Sequence, residues 1–172
     1  MENSIYENWD GHHVKLTWFP QKVLQECNHV TSVHGYCFYK GKILLAEIKG
    51  RGFNIPGGHV ETEETLVEAF QREALEEGYV KGKIRYLGAI EVSHEENRLF
   101  DPNGRYPIVG YQLFFRMDVT ECLEFLGEHE SASRIWVHPD KVPEVMNDHK
   151  LALLVLQEAI NIEKNQLGAE ML

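Results

Sequence analysis

The chain is short of three things, and each shortage excludes something. Cysteine is scarce: Cys27, Cys37 and Cys122 are odd in number, widely spaced and form no CxxC pair. That pattern reads as free thiols in a reducing, cytoplasmic compartment. Long apolar runs are missing. None approaches the roughly 18 residues that span a bilayer, and the opening MENSIYENWDGHH has neither a basic nor an apolar segment of the signal-peptide kind. Positive charge is also short, with 17 Lys and Arg against 27 Asp and Glu and a formal net charge of −10. Bulk binding to DNA, RNA or an anionic membrane needs Lys and Arg to neutralise phosphate, so those partners are not expected. A phosphate-bearing small molecule stays possible where a metal ion supplies the positive charge.

No linker, repeat or low-complexity stretch divides the 172 residues. We expect one domain at residues 30–172, large enough for a real core, with residues 1–29 as an N-terminal extension packing on it. Strand-like composition occurs in HVKLTWF (13–19), SVHGYCFY (32–39), KILLAEI (42–48), KIRYLGAIEV (83–92), IVGYQLFFRMDV (108–119) and RIWVH (134–138). The second and third of these flank Lys40-Gly41 and read as a hairpin. Helical spacing of Leu151, Leu154, Val155 and Ile162 predicts an amphipathic helix from about 148 to 164. SHEENRLFDPNGRYP (93–107) reads as a long loop, and TECLEFLGEHESAS (120–133) as a loop or short helix. Strands on both sides of one central helix, with a second helix at the end, suggest an α/β protein whose mixed sheet is covered on both faces.

The central helix is the informative segment. Pro56-Gly57-Gly58 precedes it, and Thr62 is expected to cap it, with Glu63 and Glu64 at the positive end of its dipole. At about 100° per residue, Glu73 and Glu77 fall on the side of Leu66 and Phe70, which should face the core. Glu64, Glu68 and Arg72 fall opposite. A solvated face explains Glu63, Glu64 and Glu68, but inward carboxylates are costly unless paired or bound to a cation. Glu73, Glu76 and Glu77 stand at i, i+3 and i+4 and can converge. An all-oxygen cluster favours Mg²⁺ or Mn²⁺ over zinc.

GHVETEETLVEAFQREALEEGYV (58–80) resembles the Nudix box of the MutT-like Nudix hydrolases, G-x5-E-x7-R-E-U-x-E-E-x-G-U with U a bulky aliphatic residue. Gly58, Glu64, Arg72, Glu73, Glu76, Glu77 and Val80 fall in place. Ala74 is smaller than the usual aliphatic residue, and Tyr79 stands where a glycine is usual. The resemblance extends through RGFNIPGGHVE and implies the Nudix fold, an α/β/α sandwich with a mixed β-sheet, from about residue 30 to 140. It also implies hydrolysis of a diphosphate linked to a nucleoside, by water attack on phosphorus.

On that resemblance Glu73, Glu76 and Glu77, with the Gly58 carbonyl, would bind Mg²⁺, and Mn²⁺ as a substitute. Arg72 would hold a glutamate in place and Glu64 would stand in the outer shell. The general base is a box glutamate (Glu73 or Glu76) or an acid on a later loop. Glu95, Glu96, Glu128 and Glu130 are the loop candidates, with Glu130 preferred. His12, His13, His94, His129, His138 and His149 have no zinc-ligand spacing and read as solvent-facing or structurally bonded. Trp9, Trp18 and Phe19 read first as core or interface and second as stacking residues. Arg105 and Tyr106 read as an exposed turn or as substrate contacts. The expected reaction is a nucleoside triphosphate cleaved to monophosphate and diphosphate, oxidised nucleotides included, by a monomer or homodimer. A nucleoside diphosphate sugar, an RNA 5′ end, or a non-catalytic nucleotide-binding module on the same fold are the alternatives.

Overall fold

The hairpin turn at Lys40-Gly41 shows how the local sequence sets the sheet. Both residues have positive φ, at 51° and 77°, the two-residue geometry whose twist matches the flanking strands. It joins β3 (Val30–Tyr39) to β4 (Lys42–Ile48). The computed structural model describes residues 2–146 and 148–165. Ahead of the hairpin lie β1 (Ser4–Trp9) and β2 (His12–Pro20). After it come β5 (Gly52–Asn54), β6 (Gly57–His59), α1 (Leu66–Gly78), β7 (Val80–Ser93), β8 (Val109–Cys122), β9 (Ser131–Val137), α2 (Val142–Val145) and α3 (Leu151–Asn165).

The strands form one sheet in the order β1-β2-β7-β8-β3-β4-β5, with β6 also paired to β3 and β9 to β4. β3 and β8 run parallel and the other pairs antiparallel. The sheet is therefore mixed, as the sequence suggests. Residues 4–20, expected within an extension lying on the domain, are two strands of its sheet, with β2 paired to β7 from Lys15↔Ser93 to Pro20↔Gly88.

Each strand sends alternate residues to opposite faces. On one face Val33, Cys37, Leu113, Phe115 and Met117 pack with Ala69, Phe70 and Ala74 of α1. On the other, Leu16, Tyr36, Leu45 and Leu87 pack with Val155, Leu156 and Ala159 of α3. The result is the α/β/α sandwich. Gly35 lets α1 sit this close: a Cβ there would collide with Phe70 and with the Phe115 carbonyl.

The α3 layer is locked by charge as well as by apolar packing. Arg116 is 1% exposed and donates to the Ala159 carbonyl at 2.7 Å and to Asp118 Oδ1 at 2.8 Å. Its guanidinium lies 3.7 Å from the centroid of the Phe38 ring. Arg85 takes the other Asp118 oxygen at 2.8 Å and donates to the Ile162 carbonyl at 3.4 Å. Burial pushes Asp118 up, but the two arginines outweigh it and hold the carboxyl below its usual range. Asp118→Ala removes the carboxylate that Arg85 and Arg116 share, so we expect a loss of about 2 kcal/mol. Urea denaturation measures it, and an unchanged midpoint would show that the helix docks without the pair.

Candidate active site

α1 starts later than the sequence suggests. Thr65, not Thr62, is the N-cap. Its side chain accepts from Glu68 N–H while Glu68 accepts from Thr65 N–H, a capping box. Glu64 consequently lies before the helix and not on its wheel. The chain folds back there, so Glu64 and Glu73 meet across one residue, Arg72.

Arg72 donates to Glu64 through Nε at 3.0 Å and Nη2 at 2.8 Å, and to Glu73 Oε1 through Nη1 at 2.8 Å. Nη2 also donates to the His59 carbonyl at 3.0 Å, which ties α1 to β6. Glu76 Oε2 lies 3.6 Å and Glu61 Oε2 3.7 Å from the same guanidinium. These partners raise the Arg72 pKa, with the Glu64 bond the largest cause, and the guanidinium stays charged. Glu64, bonded to Arg72, is held below the usual carboxylate range.

The inward glutamates behave differently. Glu77 is 7% exposed and accepts from Gly57 N–H at 2.8 Å. Burial pushes it up to about 7; the Gly57 N–H opposes this, and Glu73 and Glu130 add to it. Glu73 is also raised, first by burial, against the pull of Arg72. Its carboxylate presses on Gly58, where a Cβ would collide with it. Glu76 is the most open of the three, with its side chain 38% exposed. Among the described residues, no three His, Cys, Asp or Glu side chains already stand in a metal-holding group. Arg72 occupies Glu73 and the Gly57 N–H occupies Glu77. The donors nonetheless suit a hard divalent cation: carboxylate oxygens on one helix face, one buried against a single N–H, beside a carbonyl strand that only glycine permits.

Tyr79, which replaces a usual glycine, takes the left-handed backbone such a glycine would adopt, with φ 55° and ψ 44°. Its side chain offsets that strain. It is 6% exposed, packs edge-on against Phe125 with centroids 4.9 Å apart, and accepts from Glu128 N–H at 2.9 Å. Ser131 Oγ donates to the Glu77 carbonyl at 2.8 Å. Between these two anchors lies Glu130, exposed yet near enough to raise both Glu73 and Glu77. Of the other loop acids, Glu128 shares the Glu130 segment, while Glu96 accepts from Tyr6 at 2.7 Å and Glu95 from Ser93 at 3.2 Å.

A cavity of about 340 Å³ opens beside β6, lined by residues that include His59, Ser32, Gln112, Trp9 and Tyr106. His12 and His94 line it too. Trp9 and Tyr106, single residues with two readings in the sequence, here share a wall. Trp18 is core, against Phe114. His138 and His149 stand by Asp140 and Asp148. The cavity draws on β1, β2, β3, β6, β7, β8 and the loop before β8. No spacing in the sequence could have shown it.

A family model described as NUDIX domain matches residues 29–156. Nudix hydrolase 17, mitochondrial, of Arabidopsis thaliana is 34% identical over 128 residues, which is 72% of this chain and 65% of that protein. YtkD of Bacillus subtilis, named as a candidate 8-oxo-dGTP diphosphatase, is 37% identical over 84 residues, 48% of this chain and 51% of that protein. The chain thus spans less than two thirds of the length of these curated relatives. Among solved structures, the Bacillus subtilis pyrophosphohydrolase BsRppH shares the fold with a TM-score of 0.68 at 20% identity, covering 96% of this chain and 99% of that one.

Glu77 gives a pH test of the site. Its folded pKa lies above its ordinary value of 4.5, near 7. The protonated form is therefore favoured by folding, and that stability is present below about 4.5 and lost as pH rises through about 7. In chelator, the wild type should lose on the order of 3 kcal/mol between pH 4.5 and 8 through this group. Glu77→Gln keeps an acceptor for Gly57 and has no proton to lose. Urea unfolding of both proteins across that range should show the difference; parallel profiles would place Glu77 at an ordinary pKa.

Proposed function

The chain belongs to the NUDIX family, and from that premise we propose that it is a pyrophosphohydrolase of nucleotides, cleaving a nucleoside triphosphate to monophosphate and diphosphate. The observation that carries this reading is the Arg72 fork, which joins Glu64 to Glu73 beside a buried Glu77 that accepts from the Gly57 N–H. Glu73, Glu76 and Glu77 with the Gly58 carbonyl would hold Mg²⁺, or Mn²⁺ in its place. When bound, such an ion offsets the charge of the diphosphate and acidifies a water.

The protein's own residues supply the rest. Arg72 fixes the direction of the Glu73 carboxylate through a charge-assisted bond while its other edge is committed to Glu64. Glu130 takes the proton of the attacking water as the P–O–P bond breaks, and the diphosphate leaves. Tyr79 and Ser131 hold the Glu130 segment against the end of α1. The nucleoside enters the cavity next to His59, whose volume of about 340 Å³ lies at the small end of ligand pockets. That size favours one nucleoside over a nucleoside diphosphate sugar. No helix among the described residues is long and apolar enough to cross a membrane; the free Cys27, Cys37 and Cys122 support the reducing, cytoplasmic compartment that we propose.

The test is a panel of nucleoside triphosphates (8-oxo-dGTP included), nucleoside diphosphate sugars and 5′-triphosphate RNA with Mg²⁺, scored for phosphate and diphosphate. Triphosphates should give monophosphate and diphosphate; preference for a sugar nucleotide or RNA, or no turnover, contradicts the proposal. Glu130→Gln should lower turnover by about 10²–10⁴-fold with near-normal substrate binding. Wild-type turnover in that variant would move the base to another loop acid or to Glu73.

A further inference from the structure

Two of the cavity's lining residues, His12 and His94, are joined by a hydrogen-bond arrangement that the hydrolytic reading does not use. Asn97 is 7% exposed and sits between two histidines from separate segments. Its Nδ2 lies 2.9 Å from His12 Nδ1 and 3.0 Å from His94 Nδ1. Its Oδ1 accepts from Leu99 N–H at 3.1 Å. That last bond settles which way the amide points. Turned over, the amide would set its N–H₂ against the Leu99 N–H, donor against donor.

With Nδ2 facing the rings, one amide hydrogen serves each histidine. Both Nδ1 atoms then accept, so neither carries a hydrogen. A neutral imidazole bare at Nδ1 is protonated at Nε2. His12 and His94 both line the cavity, and Nε2–H is the polar group that each ring has left to offer. His94 is further fixed by stacking on Phe100 at 5.2 Å, with Trp9 edge-on at 6.5 Å. Burial and the neighbouring His12 hold the His94 pKa below its ordinary value, which keeps the ring neutral.

We infer that Asn97, by locking His12 and His94 as paired N–H donors, makes this cavity select an oxo-purine base over an amino-purine base. Guanine presents two acceptors, O6 and N7, on one edge, whereas adenine sets an amino donor beside N7. Two donors on the wall satisfy the first edge and meet a donor on the second. Trp9 and Tyr106 supply the aromatic surface for the ring faces. This inference rests on the cavity being the nucleoside site proposed above.

Two measurements on the full chain in chelator test it without turnover. Long-range ¹H–¹⁵N spectra of the histidine rings report the tautomer directly, and both His12 and His94 should be Nε2–H. Titration with GMP and with AMP, followed at the Trp9 indole signal, should show GMP binding about tenfold more tightly. Asn97→Leu removes the donors that fix both rings, so each imidazole can carry its hydrogen on either nitrogen, and the GMP-to-AMP ratio should fall toward one. His94→Phe removes one donor and should lower the ratio in part. A hydrogen on Nδ1 of either ring in the wild type overturns the inference, as does equal binding, or no binding, of the two monophosphates. GMP selectivity without triphosphate hydrolysis would sink the hydrolase reading and leave this one standing. Hydrolysis without base preference would do the reverse.

Discussion

The fork of Arg72 is the interaction on which the rest of the site depends. Glu64 comes from the loop before α1 and Glu73 from its interior, and like-charged carboxylates have no reason to stand together unaided. One guanidinium, with its donors in a fixed plane, reaches both at 3.0 Å or less. It also holds the His59 carbonyl, and His59 borders the cavity. The helix, the loop before it and the strand that borders the cavity are thus referenced to one side chain. A lysine could carry the charge but not that geometry.

The same region shows how a change in sequence is absorbed. A left-handed residue is needed where α1 ends and β7 begins at once, and glycine would take that conformation without strain. Tyr79 takes it instead. Its ring and hydroxyl bind the segment 123–130 to the helix end. The backbone strain at Tyr79 is thus coupled to the placement of Glu130, whose charge reaches Glu73 and Glu77.

Much of the fold was legible because its signals are local. β3, β4, β7, β8, β9 and α3 follow from apolar pattern and turn residues, and the box follows from spacing along one helix. The signals failed where structure is not local. β1 is half-exposed and lacks a clean alternation; β5 and β6 are three residues each, around glycine and Pro56. The cap falls at Thr65 and not Thr62: Thr65-Leu66-Val67-Glu68 carries the T-x-x-E spacing of a capping box, whereas Thr62, beside Glu63 and Glu64, is followed at that spacing by Thr65. A cap at Thr62 puts Glu64 on a helical wheel it does not occupy. Trp9, His94 and Tyr106 come together around the cavity only through the sheet order and the loop between β7 and β8.

The central claim is that Arg72 works by joining Glu64 to Glu73, and a double-mutant cycle tests it most directly. Turnover and urea stability would be measured for wild type, Arg72→Lys, Glu64→Gln and the double variant. A shared interaction predicts that each single change lowers turnover about tenfold or more and that the double loses little beyond either single, a coupling of at least about 1 kcal/mol. Additive losses, or wild-type turnover in Arg72→Lys, would contradict it.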